Sequence, residues 1–308
     1  MIFWFVSFVA ALVLAPLLSG IINKVKAFFA GRKGPSLFQL YYDIAKLLKK
    51  DAVYSQTAGV LLKSAPCISL MATLTAALFL PFGMKISPAA FGGDIIFFFY
   101  LLGTARFVTV LGALDTGSSF EGMGASREVQ FSALAEAAIF GCLGFLVLLT
   151  REFSLSGVLT GAELAVENGH LTSVLLTAFA LFIVLLAENC RVPFDDPETH
   201  LELTMIHEAM ILDYGGPDLA MIFYGAALKL YLFASLLVML VFPATAGMSF
   251  CGVLTTIAGV FVVAVMIGIV ESCMARFRFL KVPQMLMGAL AASLLAVVCL
   301  LVFEKGVC

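Results

Sequence analysis

Windows of about 20 mostly apolar residues, the length of helix that crosses a bilayer's hydrocarbon core, recur eight times along this chain and limit what it can fold into. They run Ile2–Ile22, Ala65–Phe82, Ile95–Leu114, Val129–Thr150, Leu171–Ala187, Leu219–Phe242, Phe250–Val270 and Pro283–Phe303. Of the 308 residues, 62% are hydrophobic and only 12% charged, and the mean hydropathy is +1.09. A water-soluble fold cannot hide that much apolar surface, whereas hydrocarbon solvates it. The expected fold is therefore all-α: a polytopic membrane bundle of about eight transmembrane helices, forming one domain over residues 1–308.

The first span has no basic residue ahead of it and has Lys24 and Lys26 just after it, the reverse of a cleavable secretory signal. It is expected to stay in the mature protein. The connections after spans one, three, five and seven, about residues 23–64, 115–128, 188–218 and 271–282, hold thirteen of the 18 Lys and Arg residues. The positive-inside rule assigns these connections to the cytoplasm and both termini to the outside. Within the first connection, Ser36 to Asp51 carries Leu37, Leu40, Tyr41, Ile44, Leu47 and Leu48 at helical spacing. That pattern suits an amphipathic helix in the headgroup layer or one packed on another subunit. The formal charge of -2 gives no reason to expect a nucleic-acid partner. The seven cysteines stand singly, with no Cys-x-x-Cys pair, and so offer no iron–sulfur, zinc or disulfide framework.

Ionisable groups inside a span cost about 2.5 to 3.5 kcal/mol each on insertion scales and call for a reason. Here Arg106 falls in the middle of the third span, Glu136 inside the fourth and Lys229 near the centre of the sixth, with Glu188 and Glu271 at the ends of the fifth and seventh. Charges of both signs on separate helices point to a hydrated ion path, with simple pairing between helices as the alternative. Glu136 is the first candidate proton carrier, because burial raises a carboxylate's pKa. Arg106 is a fixed counter-charge, and Lys229 a base whose pKa burial can lower. The long connection between spans five and six is acidic: Asp195, Asp196, Glu198, Glu202, Glu208, Asp213 and Asp218 lie around His200 and His207. Its spacing fits no standard metal motif. The alternation of acids with apolar residues suggests a segment folded back on the bundle.

Four cytoplasmic segments carry a family resemblance. They are Arg32-Lys33-Gly34-Pro35 with Gln39, Asp43 and Lys46; Gly124-Ala125-Ser126-Arg127 with Glu136 nine residues beyond; Ala187-Glu188 through Arg191-Val192-Pro193-Phe194-Asp195 to Glu198 and Glu202; and Glu271 followed by Arg276-Phe277-Arg278. Together they resemble the first membrane subunit of respiratory complex I (NADH dehydrogenase subunit one) and its relatives in energy-converting hydrogenases. Leu114 to Phe120, Gly124 to Glu128 and Thr199 to Glu208 resemble the formate hydrogenlyase and hydrogenase-type branch more closely. Lys229 stands where complex I relatives tend to carry acids.

The resemblance implies a non-catalytic subunit of an oxidoreductase complex in a bacterial or archaeal cytoplasmic membrane. Such a subunit anchors hydrogenase-like large and small subunits and an iron–sulfur protein to the bilayer and adjoins antiporter-like membrane subunits. No cofactor is expected on this chain; iron–sulfur clusters, with a nickel–iron centre or a quinone as further candidates, belong to the assembly. Asp195, Asp196, Glu198, His200, Glu202, His207, Glu208 and Asp213 would form a coupling loop. Arg32, Gly34, Pro35, Asp43, Lys46, Arg127 and Arg191 would dock the soluble module. Two other functions stay open: a complex I subunit shaping the quinone-reduction chamber, and an independent secondary transporter binding an anion through Arg106 and Lys229. The transporter would be expected to show internal repeats or broken helices, and neither is visible.

Overall fold

Hydrocarbon offers no partner to a free N–H or C=O, so each apolar window satisfies its backbone internally as a helix. In a computed structural model, residues 2–55, 58–82, 86–167, 170–195, 205–242 and 250–306 are described. Their helices are α1 (Ile2–Phe29), α2 (Gln39–Leu47), α3 (Val60–Phe79), α4 (Asp94–Asp115), α5 (Ser119–Thr150), α6 (Leu155–Glu167), α7 (Leu171–Glu188), α8 (His207–Met210), α9 (Gly216–Val241), α10 (Phe250–Cys273) and α11 (Val282–Gly306). Eight of them, α1, α3, α4, α5, α7, α9, α10 and α11, are long and apolar enough to cross a membrane. The windows read from sequence correspond to these eight in order.

Two extents differ from the sequence reading. The stretch 115–128, expected as a connection, is helical from Ser119 onward, so that α5 runs for 32 residues, or about 48 Å. Its polar first turns lower the hydropathy without breaking the helix. Between the fourth and fifth spans the chain forms α6, whose 13 residues rise only about 20 Å and cannot span a bilayer. Leu155, Val158 and Leu159 of α6 are buried, which docks this short helix on the bundle.

The centre of the bundle is α9. Of its most apolar stretch 78% is buried, against 28% for α11 at the periphery. Tyr231, Leu232, Ala234 and Ser235 of α9 are almost fully enclosed, as are Phe98 of α4 and Phe145 of α5. The lysine identified in the sixth span thus sits on the most enclosed helix.

Several helices begin without a side-chain cap of their own and take a carboxylate from elsewhere, satisfying N–H groups that would otherwise be orphaned. Asp94, fully buried, accepts from the N–H of Leu155 that opens α6, at 2.5 Å. Asp115 accepts from Leu62 N–H in the first turn of α3, at 3.1 Å. Asp195 accepts from Ile206 and His207 N–H at the start of α8, at 3.0 and 3.2 Å. Much of the chain's acidity near the ends of the spans therefore has a structural cause.

Pro16 lies inside α1, and its missing N–H leaves the Leu12 carbonyl without its helical donor. Tyr224 of α9 donates its hydroxyl to that carbonyl at 3.0 Å, and Tyr41 of α2 donates to the neighbouring Val13 carbonyl. The first bond holds α9 to α1 and the second holds α2 beside α1, although no residue of α2 is fully buried. The connection into α2 folds back closely along α1. A side chain at Gly20 would collide with the Leu37 carbonyl, and one at Gly34, where φ is +63°, would collide with Ala27. Glycine is required at both places for the loop to reach the helix.

Candidate functional site

The C-terminal end of α7 points into the bundle, and its last carbonyls carry partial negative charge that favours cations nearby. Lys229 of α9 meets that end directly. Its Nζ donates to the Glu188 main-chain carbonyl at 2.7 Å and to Glu188 Oε2 at 2.8 Å. Arg106 of α4 reaches the other Glu188 oxygen through Nη1 and the Glu136 carboxylate through Nη2. Four of the five charges singled out within the spans thus form one network: Lys229, Glu188, Arg106 and Glu136. Their environments differ. The Glu188, Arg106 and Lys229 side chains are 4%, 10% and 13% exposed, while that of Glu136 is 51% exposed and faces the outside of the bundle.

The fifth, Glu271, stands apart from this network. Its side chain is wholly buried between Lys26 Nζ at 3.4 Å and Arg191 Nη1 at 3.7 Å. It ties α10 to α1 and to the start of the acidic connection.

Above the network lies a cavity of about 350 Å³. It is bounded by α1, α2, α3, α4 and α9 and by the segment after α7; Arg106, Glu128, Glu188, Asp195, His207 and Lys229 reach it. Burial, reinforced by Lys229, pulls the His207 imidazole down to about 4, so it lines the cavity as a neutral group. The Cys190 thiol is pushed well above its usual range by burial and by Glu128. It donates to Glu128 Oε2 at 3.9 Å as a neutral S–H.

The residues of the acidic connection have separate roles. Asp195 caps α8 and pairs with Arg276 Nη2 at 2.6 Å, which seals the connection against the segment after α10. His207 and Glu208 line the cavity. Asp213 is exposed, and its N–H donates to buried Glu121 at 3.2 Å. Asp196, Glu198, His200 and Glu202 lie outside the described residues. Among the docking candidates, Arg32, Gly34, Pro35 and Lys46 lie in the loop after α1 and on α2, with Arg32, Gly34 and Pro35 exposed, and Asp43 accepts from Gln39 at 3.0 Å. Arg127 and Arg191 are engaged within the chain, Arg127 with the Met205 carbonyl at 3.2 Å and Arg191 with Glu271.

Glu128 was not among the site residues read from sequence, where it falls just ahead of the fourth apolar window. Its signal is present in the helical register. Glu121, Ala125, Glu128, Ala135, Ala138, Cys142 and Phe145 are all buried at intervals of three, four or seven residues, one stripe of α5. Carrying that stripe back past the apolar window would have placed Glu128 inside.

A bundle of eight membrane-length helices around a network of four charges, with a cavity beside it, defines a multi-pass membrane protein. The sequence profile of the NADH dehydrogenase family (NADHdh) matches residues 2–302, and the chain belongs to that family. It is 36% identical to hydrogenase-4 component C of Escherichia coli, over 89% of this chain and 87% of that one. It is 30% identical to formate hydrogenlyase subunit 4 of the same organism, over 93% and 94% of the two chains. To the H subunit of the NADH-quinone oxidoreductase of a Polaromonas species it is 25% identical, over 69% and 61%. Its fold matches a chain in the structure of the membrane-bound sulfane sulfur reductase, an archaeal respiratory membrane complex, with a TM-score of 0.80, 20% identity and 95% and 96% coverage. The family resemblance and its hydrogenase-type branch are both borne out.

Proposed function

We propose that this chain is the membrane anchor and ion-coupling subunit of a hydrogenase-type complex in a bacterial or archaeal cytoplasmic membrane, with both termini outside. The observation that carries the reading is the network Lys229–Glu188–Arg106–Glu136. It begins at the cavity near the cytoplasmic connections and ends at a half-exposed carboxylate on the side of the bundle. A carboxylate left half-exposed within the bilayer is expensive, so the reading assigns its outer face to a neighbouring antiporter-like membrane subunit. On the cytoplasmic side, Arg32, Gly34, Pro35 and Lys46 would receive the hydrogenase-like large and small subunits and an iron–sulfur protein.

Redox turnover in that module would shift charge near Asp195, His207, Glu208 and Asp213, and through them the protonation of Glu188 and Glu136. In a low-dielectric interior such couplings are large. Among the described residues no three His, Cys, Asp or Glu side chains converge as a metal-ligand set. The reading assigns the iron–sulfur clusters, and a nickel–iron centre where there is one, to the partner module. Protons are the ion of this reading, with sodium as the other outcome of an ion-replacement assay.

The test is gentle purification of the tagged chain from its native membrane, with mass spectrometry of what stays attached. Recovery of hydrogenase-like, iron–sulfur and antiporter-like subunits without a flavin-bearing NADH module supports the reading; a chain that purifies alone and transports a solute defeats it. A second reading, a complex I subunit that shapes a quinone-reduction chamber, draws on the cavity volume of about 350 Å³, a size usual for small-molecule sites. Recovery of the NADH module would favour it.

A further inference from the structure

Glu128 and Glu188 line the cavity beside Arg106 and Lys229, Glu136 lies beyond Arg106, and these three carboxylates are not equivalent. Glu188 has a cation on each oxygen, Lys229 on one and Arg106 on the other. Glu136 is bonded to Arg106. At both of these carboxylates an incoming proton competes with a directly bonded cation.

Glu128 is different. It is nine-tenths buried on α5, and among the described residues it makes no ion pair within 4.0 Å; its one hydrogen bond is from the Cys190 thiol. It lines both the large cavity and a second small one of about 20 Å³ that Arg106 and Glu188 also border. The charged groups that bear on it at longer range are Arg106 from α4, Lys229 from α9, and Glu188 and Asp195 from α7 and the segment after it. His207 of α8 shares its cavity.

We infer that Glu128 is the group that takes up the transported proton from the cytoplasmic cavity and passes it toward the Arg106–Glu188–Glu136 network. The step is a proton transfer alone. A proton from cavity water converts the carboxylate to the acid, and its release past Arg106 restores the carboxylate. Glu128 can do this because neither of its states leaves a directly bonded cation without a partner, and because a carboxyl group between two cavities can receive on one side and release on the other. Cys190, held as a thiol, gives the carboxylate a weak donor that does not fix it as an anion. Arg106 and Lys229, on separate helices, bias the direction of release electrostatically.

This assignment rests on the ion-coupling reading, and the experiment keeps the two apart. The intact complex is reconstituted in liposomes, and proton uptake is followed with a pH-sensitive dye during redox turnover, for wild type, Glu128→Gln and Glu128→Asp. The expected result is that E128Q assembles and turns over but takes up no more protons than wild type treated with an uncoupler, whereas E128D, which keeps a carboxyl group, restores uptake. Uptake by E128Q equal to wild type overturns the assignment, as does E128D behaving like an uncoupled E128Q. If E128Q fails to assemble, infrared difference spectra of the intact wild type against E128D decide. A carboxylic-acid carbonyl band that responds to turnover and shifts in E128D supports the assignment; an identical band in both contradicts it. A wild-type complex that turns over with no proton or sodium uptake sinks the ion-coupling reading itself.

Discussion

Replacing Glu188 with Gln removes the one carboxylate that serves both Arg106 and Lys229. The glutamine keeps the shape and one acceptor but leaves two cations sharing a single counter-ion, Glu136, which touches only Arg106. Lys229, 13% exposed at its side chain, then keeps only the Glu188 main-chain carbonyl as a firm acceptor. Breaking a buried ion pair by removing one partner costs about 3–5 kcal/mol. All three groups of the Glu188 cluster are nearly enclosed, so little of this is relieved by water. For a chain of this size the loss corresponds to a fall of roughly 10 °C in melting temperature. The double variant Glu188→Gln with Lys229→Met removes both members of one pair and leaves Arg106–Glu136 intact. It should recover most of the loss, a strongly non-additive result. Thermal unfolding of the assembled complex in detergent, with the two single variants and the double, measures this. An E188Q variant that loses less than about 1 kcal/mol, or a double variant that simply sums the singles, would refute the reasoning.

Tyr224→Phe withdraws the hydroxyl from the carbonyl that Pro16 frees and should cost about 1–2 kcal/mol; in a Pro16→Ala background, where the helix supplies its own N–H, thermal melts should show most of that cost gone. The His207 imidazole, held down to about 4 in the fold, binds its proton in the unfolded chain from about pH 6.5 downward. Stability should thus be full above about pH 6.5, decline as pH falls toward 4 and lose about 3 kcal/mol in all, and a His207→Gln variant should show a flatter profile in the same pH-dependent melts. Asp115→Ala should cost about 1 kcal/mol by uncapping α3, while Asp115→Asn, which keeps the acceptor, should cost a fraction of that in the same assay.

The eight spans were legible because a helix in lipid needs only length and apolarity, and both are local properties of sequence. The single charges Arg106, Lys229 and Glu188 were legible for the converse reason, as exceptions inside apolar windows. What sequence could not supply was their pairing, since α4, α7 and α9 meet only in the folded bundle. The start of α5 was misjudged because hydropathy marks where a helix leaves lipid, not where it ends. Glu128 was missed with it. Asp195 reads as one acid of a loop, and only the structure shows that it, like Asp94, accepts from N–H groups at the start of a helix. Arg127 and Arg191 carry motif signals for docking, and the structure adds what a linear motif cannot show, their partners within the chain, the Met205 carbonyl and Glu271.

The proposed ion path runs through the buried network to Glu136, its half-exposed end. Proton uptake per redox turnover, measured in liposomes holding the intact complex, should be lost in Glu136→Gln, while assembly and redox turnover with an uncoupler persist. The half-exposed position of this side chain makes the substitution tolerable to the fold. Undiminished proton uptake by the E136Q complex would contradict the account and take Glu136, with the path drawn through it, out of the mechanism.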